Sequence, residues 1–234
     1  MLATIRAGRV PLPIAAHQDV AVHYSISTIN LAKEVAERIE AGRLTWQEFG
    51  GTHPAPAGNA VCAAMIDELV RRAWNEPVAA DARLVCHPLP VPLDQCCYEN
   101  GRFIDPREAR VDRGWKLEVP AWKTLKGSKR SRFTQIPMLC AEQPGAELTL
   151  KFTGTAVGAY VVAGPDAGIA EARVDGGVPV EIDLHHKFSA GLHYPRTVMF
   201  ATDLDPGPHT LVVRITDKTR GDGHAMRIMQ FVAN

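Results

Sequence analysis

The spacing of apolar residues between positions 31 and 42 predicts an amphipathic helix. Leu31, Val35 and Ile39 recur every four residues, and most residues between them are charged. Asn30 can cap the start of this helix with its side-chain oxygen, and Gly42 provides a C-terminal stop.

Further elements are predicted around this helix. Residues 14–24 have a helical pattern, residues 26–29 are expected to form a brief buried strand, and Thr45 to Glu48 match a capping box. A longer helix is expected over 57–74, directing four residues toward a core: Val61, Met65, Leu69 and Ala73. This order is typical of an α/β layer, but a single strand cannot form a sheet, so another segment or a second copy must complete it.

Beyond residue 115 the pattern becomes one of alternation. Apolar residues alternate with polar ones over 146–152 and again over 209–215, which is typical of half-buried strands. Further short strands are predicted at 133–138, 157–162, 169–174, 178–184, 197–202 and 226–232. About eight strands separated by turns rich in Gly, Pro and Asp predict an antiparallel β-sandwich of jelly-roll type.

The sequence therefore predicts three regions. Residues 1–76 form a partial, mostly helical α/β domain, and residues 115–234 form the all-β sandwich. The Pro-rich stretch 77–114 connects them, with a hairpin at 98–101.

Composition narrows the classes of partner. The 234 residues carry 26 Lys and Arg against 26 Asp and Glu, so no long-range field draws the chain to nucleic acid or anionic lipid.

No stretch of about eighteen apolar residues occurs and the first thirteen residues lack the apolar core of a signal peptide, which predicts a soluble chain with no membrane span. A longer parent protein could still be exported, so the location stays open. The basic run 123–132 is expected to be a solvated loop.

The cysteines do not indicate a disulfide scaffold or a structural metal site. Their number is odd and their spacing fits no zinc-binding pattern, and the set comprises Cys62, Cys86, Cys96, Cys97 and Cys140.

His53 is the residue that most clearly suggests chemistry. It lies in the run Phe49-Gly-Gly-Thr-His-Pro-Ala-Pro-Ala-Gly-Asn59, immediately before the predicted long helix. Pro54 and Pro56 stiffen the backbone beside it, so the imidazole can be held in one direction. A fixed imidazole at a helix start is suited to act as a general base.

This run resembles the last sequence block of the SGNH, or GDSL-type, hydrolases, over roughly residues 8–76. In that family a His-Pro pair before the C-terminal helix supplies the catalytic histidine, so the resemblance implies that His53 is the general base. Such enzymes take a serine nucleophile from a Gly-Asp-Ser motif, oxyanion donors from a Gly and an Asn, and usually an Asp three residues before the histidine. Here that position is Gly50, and none of the other motifs is found.

The predicted sandwich is similar to the β-sandwich that follows the catalytic domain in certain bacterial SGNH hydrolases. Four segments carry this similarity: 152–158, 164–168, 174–176 and 183–186. The combined resemblance implies the C-terminal portion of an esterase or lipase-like enzyme that works through a serine acyl-enzyme. We expect an acylated small molecule or carbohydrate as substrate, no cofactor, negligible turnover by this chain alone, and self-association through the incomplete α/β layer.

Other residues of the helical region are weaker candidates for catalytic roles. Glu48 is the nearest acid upstream of His53, but its capping-box position favours a structural role. Asp67, on the outward side of the next helix, is a weaker candidate acid, and Ser25 and Ser27 lack the strand-turn-helix context of an exposed nucleophile.

The predicted sandwich also suggests an alternative function. It could be a noncatalytic module that binds carbohydrate or mediates assembly, with His185, Trp115 and Trp122 offering stacking surface. Buried anchoring explains the tryptophans equally well. His185, His186 and His193 could together suggest a metal, but adjacent histidines point apart, which favours hydrogen bonding.

Overall fold

The computed structural model describes residues 1–94 and 97–234, which fall into two compact units, Met1–Gln95 and Cys96–Asn234. Within the described residues, no helix has the length and apolar character needed to cross a bilayer. Cys62, Cys86, Cys97 and Cys140 are free thiols, and Cys96 lies outside the described residues.

The first unit is built from helices. In chain order they are α1 (Leu2–Arg6), α2 (Leu12–His23), α3 (Leu31–Glu40), α4 (Trp46–Phe49) and α5 (Pro56–Asn75). Its small core contains Val35, Leu44, Phe49 and Val61. The predicted helices over 31–42 and 57–74 are confirmed within one or two residues, but Ala73 is exposed rather than directed inward.

Two predicted caps are present. The Asn30 side chain accepts a hydrogen bond from the Lys33 amide at 3.0 Å and so caps α3. Thr45 and Glu48 form the reciprocal bonds of a capping box at the start of α4. Gly42, just beyond α3, has a φ of +66°, the left-handed conformation that favours glycine after a helix.

The prediction of a strand at residues 26–29 is wrong. Ser25, with a φ of +53°, follows α2, and the Ile26 amide donates back to the Ala21 carbonyl at 2.8 Å. The Ser25 amide donates to Val22 at 3.2 Å, which completes a Schellman motif. The Ile26 amide is therefore used to end the helix, and no strand lies beside it in the described part of the chain to form a sheet.

The second unit is a sandwich of two antiparallel sheets, which confirms the predicted fold class. Its strands are β1 (Arg102–Ile104), β2 (Arg110–Arg113), β3 (Lys116–Glu118), β4 (Met138–Ala141), β5 (Glu147–Thr153), β6 (Val157–Ala163), β7 (Gly168–Val174), β8 (Val180–Asp183), β9 (Tyr194–Ala201), β10 (Pro208–Thr219) and β11 (Met226–Ala233). One sheet has the order β3-β4-β11-β6-β9, with β1 also paired to β11, and the other has the order β2-β5-β10-β7-β8.

Cross-strand register fixes the core of the sandwich. Pairing of β5 with β10 sets Leu148 opposite Val213 and Leu150 opposite Leu211, and all four side chains are buried. These rows face the other sheet, where Phe231 is also fully buried. Alternation along β5 and β10 therefore places one apolar face of each of these strands in the core, as the sequence predicts.

The predicted strand at 133–138 is wrong in its position. Ser131–Phe133 forms a 3₁₀ turn, and the strand begins at Met138. Pro137 comes directly before that strand, and it has no amide hydrogen to donate to a neighbour.

The stretch that the sequence analysis treats as a connection is divided in the structure. Residues 77–94 contain no helix or strand, whereas β1 and β2 pair with the two sheets of the sandwich. The predicted hairpin at 98–101 is a turn in which the Gly101 amide donates to the Tyr98 carbonyl at 3.2 Å.

Candidate functional site

His53 lies exposed on a short loop between α4 and α5. The Ala55 amide donates to the Phe49 carbonyl at 2.8 Å, which folds the loop back on α4, and Pro56 begins α5. Gly58 packs so closely that an added Cβ would lie 2.2 Å from the Phe49 carbonyl oxygen. The backbone that carries His53 is therefore tightly constrained while the imidazole remains accessible.

Gly50, three residues before His53, has a backbone conformation that favours glycine. Its φ is +103°, and a Cβ built there would lie 2.2 Å from the Ala55 nitrogen and 2.4 Å from the His53 carbonyl oxygen. An aspartate would collide with backbone in this conformation, since L side chains rarely adopt such a φ. The loop as folded here therefore requires glycine three residues before His53.

The Glu48 carboxylate is engaged by Thr45. It accepts hydrogen bonds from the Thr45 amide at 2.7 Å and from the Thr45 hydroxyl at 2.8 Å. These bonds hold the pKa of Glu48 below its ordinary value. No hydrogen bond joins Glu48 to His53 in the described part of the chain, so the geometry assigns Glu48 a capping task.

We expect Thr45→Ala to lower the free energy of unfolding of the helical unit by about 1 kcal/mol, the usual cost of losing an N-cap side chain. Urea unfolding followed by circular dichroism at 222 nm measures this change. Thr52→Ala, at an exposed loop threonine before His53, serves as the matched control and should change stability little. Equal losses for the two variants would contradict the capping role.

The other candidates in the helical unit do not approach His53. Asp67 pairs with Arg71 on the exposed side of α5, with a Nε to Oδ2 distance of 2.6 Å. Ser25 and Ser27 are the two serines of this unit, and neither hydroxyl is hydrogen-bonded to a histidine in the described residues. Among the described groups of this unit, His53 thus has no partner that completes a catalytic triad.

The sandwich contains a buried polar cluster that the sequence analysis did not identify. Arg227 is 1% exposed, and its guanidinium donates to both Asp166 oxygens at 3.0 and 2.6 Å. Glu142 accepts a longer bond from the same group at 3.4 Å. Burial favours the neutral form of Asp166, but the hydrogen bonds and charge of Arg227 outweigh it and hold the pKa of Asp166 below its usual value.

Trp122 and His193 extend this cluster. The Trp122 ring lies 5.9 Å from the Arg227 guanidinium carbon and contacts the His193 ring edge to face, with ring centres 5.1 Å apart. His193 Nε2 donates to the Lys126 carbonyl at 2.8 Å, which leaves Nδ1 unprotonated, and Nδ1 has no partner among the described atoms. Burial lowers the pKa of His193, which favours this neutral tautomer.

The three histidines considered for a metal have other surroundings. His193 is buried in the polar cluster, and His186 Nδ1 accepts a hydrogen bond from the Phe188 amide at 3.3 Å. His185 is half-buried, and its ring lies beside Gly221. Within residues 1–94 and 97–234, no three His, Cys, Asp or Glu side chains converge as they would around a metal ion.

One exposed aromatic ring and two half-buried rings lie together at a place that the sequence analysis missed. His186 stacks on Tyr194 with ring centres 4.7 Å apart, and Phe188 contacts both rings at 5.1 and 5.3 Å. We call these three residues the aromatic surface. By contrast, Trp115 is only 4% exposed and belongs to the core, so it cannot stack on a ligand. The sequence marks this surface only by the presence of Phe188 and Tyr194 within nine positions of His185.

His209 forms a separate ion pair with Asp175. Its Nδ1 donates to Asp175 at 2.6 Å and its Nε2 donates to the Asp205 carbonyl at 2.8 Å, so both ring nitrogens carry protons. The hydrogen bond to Asp175 raises the pKa of His209 above its ordinary value. Asp175 also accepts from the Thr210 amide at 2.7 Å, which fixes the turn after β7.

This pair predicts a pH dependence of stability. The pKa of His209 is higher in the folded than in the unfolded protein, so the protonated ring stabilises the fold. This stabilisation is fully present below the unfolded pKa of about 6.5, and it is lost as the pH rises through the pKa of the folded state. The urea midpoint of the sandwich should therefore fall as the pH is raised from 6.5, and His209→Gln should flatten that dependence. An unchanged slope in the variant would contradict the assignment.

Comparison with known proteins gives matches at the level of structure. No protein-family model and no curated protein match the sequence. A crystal structure of a two-domain esterase (CEX) active on acetylated mannans, co-crystallised with mannopentaose, matches 93% of this chain with a TM-score of 0.68 at 18% identity. A second structure of a two-domain esterase (CEX) active on acetylated mannans also matches 93% of the chain with a TM-score of 0.68, at 19% identity.

The match concerns the fold, since so few residues are identical. The chain spans 57% and 58% of the length of the two matched chains. The similarity therefore places both the helices and the β-sandwich within a fold that occurs in esterases.

Proposed function

We propose that this chain is part of an SGNH-type ester hydrolase that acts on an acylated carbohydrate or small molecule, with His53 as its general base. The observation that carries the proposal is the position of His53 on a tightly packed loop at the start of α5, within a fold whose structural neighbours are esterases active on acetylated mannans. The imidazole is accessible and makes no hydrogen bond to another described side chain, so it is free to accept a proton.

In the proposed reaction, a serine hydroxyl attacks the ester carbonyl while the His53 imidazole takes the serine proton. The imidazolium then gives that proton to the departing alcohol oxygen, which leaves an acyl-enzyme. In the deacylation step, His53 removes a proton from water as the water attacks the acyl group. The imidazolium then gives this proton to the serine oxygen, and the free acid leaves. The reaction requires no cofactor.

The nucleophile is proposed to come from a polypeptide segment other than residues 1–234, because no Gly-Asp-Ser sequence occurs in them. The helical unit exposes large apolar side chains, including Leu12, Val22 and Trp74, each more than four-fifths exposed. Such a surface fits a helical layer that is covered by another segment or by a second copy. Alone, the chain is expected to show negligible turnover.

The proposal is tested by supplying the absent segment. The DNA upstream of the gene is read for a segment that encodes Gly-Asp-Ser, and that segment is produced together with this chain. Acetate release from acetylated mannan and from 4-nitrophenyl acetate should occur with the pair and not with either part alone. Absence of such a segment, or a pair without turnover, would contradict the proposal.

A second candidate function is a noncatalytic module built on the sandwich. The partly exposed aromatic surface favours this second function, because it offers area for binding a ligand on the sandwich itself. The two functions are separable by experiment, since binding by the sandwich does not require His53.

A further inference from the structure

The aromatic surface leaves apolar area in solvent at one site of the sandwich. Phe188 is 50% exposed, and His186 and Tyr194 are half-buried beside it. The stacked pair has an interplanar angle of 15°, whereas Phe188 is tilted by 53° and 59° to its two neighbours. The three rings contact one another, so they form one continuous surface in which the Phe188 ring is tilted to the stacked pair.

The loop that carries these rings is fixed before any ligand binds. The Ser189 hydroxyl is buried, donates to the Ala163 carbonyl at 2.9 Å and accepts from the His186 amide at 3.1 Å. The Leu192 amide donates to Phe188, and the following residue, His193, donates its amide to Ser128 at 2.9 Å. A surface held in this way loses little conformational entropy on binding.

Polar groups surround the rings. Arg196 lies two residues after Tyr194 on β9, so the two side chains share a face, and its positive charge acts on His186. Lys187 places its ammonium 5.1 Å from the Phe188 ring centre. Both groups can donate hydrogen bonds beside the rings.

The size and the surroundings of this surface decide between classes of partner. A stable protein interface buries about 800 Å² on each side and has an apolar centre, which is more than three partly exposed rings provide. A pyranose ring has an apolar face of C–H groups and a rim of hydroxyls. It therefore matches rings that are bordered by hydrogen-bond donors.

We propose that the aromatic surface of His186, Phe188 and Tyr194 is a binding site for the pyranose rings of a neutral carbohydrate chain. The C–H face of one sugar stacks on the Phe188 and Tyr194 rings, and the Arg196 and Lys187 side chains donate to its hydroxyls. Lys187, on the surface, moves from the Phe188 ring when the sugar takes its place. This assignment rests on the second function proposed above and is independent of His53.

Saturation-transfer NMR with the complete chain tests the site directly. The probes are the β-1,4-linked pentasaccharides of glucose, mannose and xylose. Irradiation of the protein's aromatic protons should saturate the ring-face protons of at least one probe more strongly than its other protons. Phe188→Ala should weaken the affinity by about tenfold or more, because a stacked ring is lost. Tyr194→Phe, which keeps the ring, should leave the affinity within about threefold.

Phe103→Ala is the matched control, because Phe103 is also exposed but lies on β1, which pairs with β11 and not with the strand that carries Tyr194. That variant should bind like the parent protein. The proposal is overturned if no probe shows transfer at millimolar concentration, or if Phe188→Ala binds as tightly as the parent. Binding that survives Phe188→Ala would leave a carbohydrate-binding sandwich but remove this site from it. A dimer that dissociates in Phe188→Ala would instead assign the surface to a second copy of the chain.

Discussion

Asp166→Asn is expected to destabilise the sandwich by about 3 kcal/mol, because it leaves the Arg227 cation buried without its main partner. Arg227 is 1% exposed and donates two hydrogen bonds to the Asp166 carboxylate, whereas it donates only one long bond of 3.4 Å to Glu142. Glu142 is mostly in solvent, so its approach to Arg227 compensates only in part.

Replacing the arginine of the pair should lower the free energy of unfolding by less. In Arg227→Met, the remaining Asp166 carboxylate keeps 26% of its side-chain surface exposed, so water can solvate it. The double variant should recover stability relative to Asp166→Asn, because no buried charge is left unpaired.

Urea unfolding of the three variants, read by tryptophan fluorescence, gives these energies. Arg173→Gln is the control in the same unit, since Arg173 is exposed and its pair with the half-buried Glu171 should contribute less than about 0.5 kcal/mol. A double variant less stable than Asp166→Asn alone would show that the pair is not the source of the effect.

Local signals allowed much of the fold to be predicted. The capping box at Thr45 and the cap at Asn30 depend on residues three positions apart, so the sequence displays them fully. The alternation over β5 and β10 likewise follows from one buried face per strand. Such features need no knowledge of distant contacts.

Elements without a buried face escaped prediction. All residues of β2 and β3 are exposed, so these strands show no apolar alternation and are defined by pairing with β5 and β4 alone. At Ile26 the opposite error occurred, because two isoleucines flanking Ser27 and Thr28 suggested a strand where the backbone ends a helix. The periodicity of apolar residues indicates which residues are buried. It therefore does not identify strands that pair through their backbone without burying a face.

The candidate sites divide in the same way. His53 was identified because the residues that stiffen its loop are its neighbours in sequence. The pairing of Asp166 with Arg227 joins residues 61 positions apart, because Asp166 lies in the turn after β6 and β6 pairs with β11, the strand that carries Arg227. No local pattern marks such a pair, although a lone arginine within the apolar strand β11 is a usable signal, since a buried charge requires a partner.

In the two-part esterase proposed above, His53→Ala is expected to abolish hydrolysis, with a loss in kcat of about 10⁶-fold, the cost of removing the catalytic histidine of a serine protease. The reason is that the serine hydroxyl then has no base to take its proton, and the leaving alcohol has no acid to protonate it. Initial rates of 4-nitrophenyl acetate hydrolysis by the chain together with the serine-containing segment proposed above measure this loss.

The control is His17→Ala, which removes an exposed histidine from α2 of the same unit and should leave kcat unchanged. Because the His53 ring is exposed and makes no described hydrogen bond, its removal should not alter the fold, so the circular dichroism spectrum and the urea midpoint should match those of the parent protein. Added imidazole should restore part of the rate to His53→Ala by entering the space that the side chain leaves. If His53→Ala and His17→Ala hydrolyse at equal rates, the proton acceptor is not His53, and the stiff loop before α5 serves packing alone.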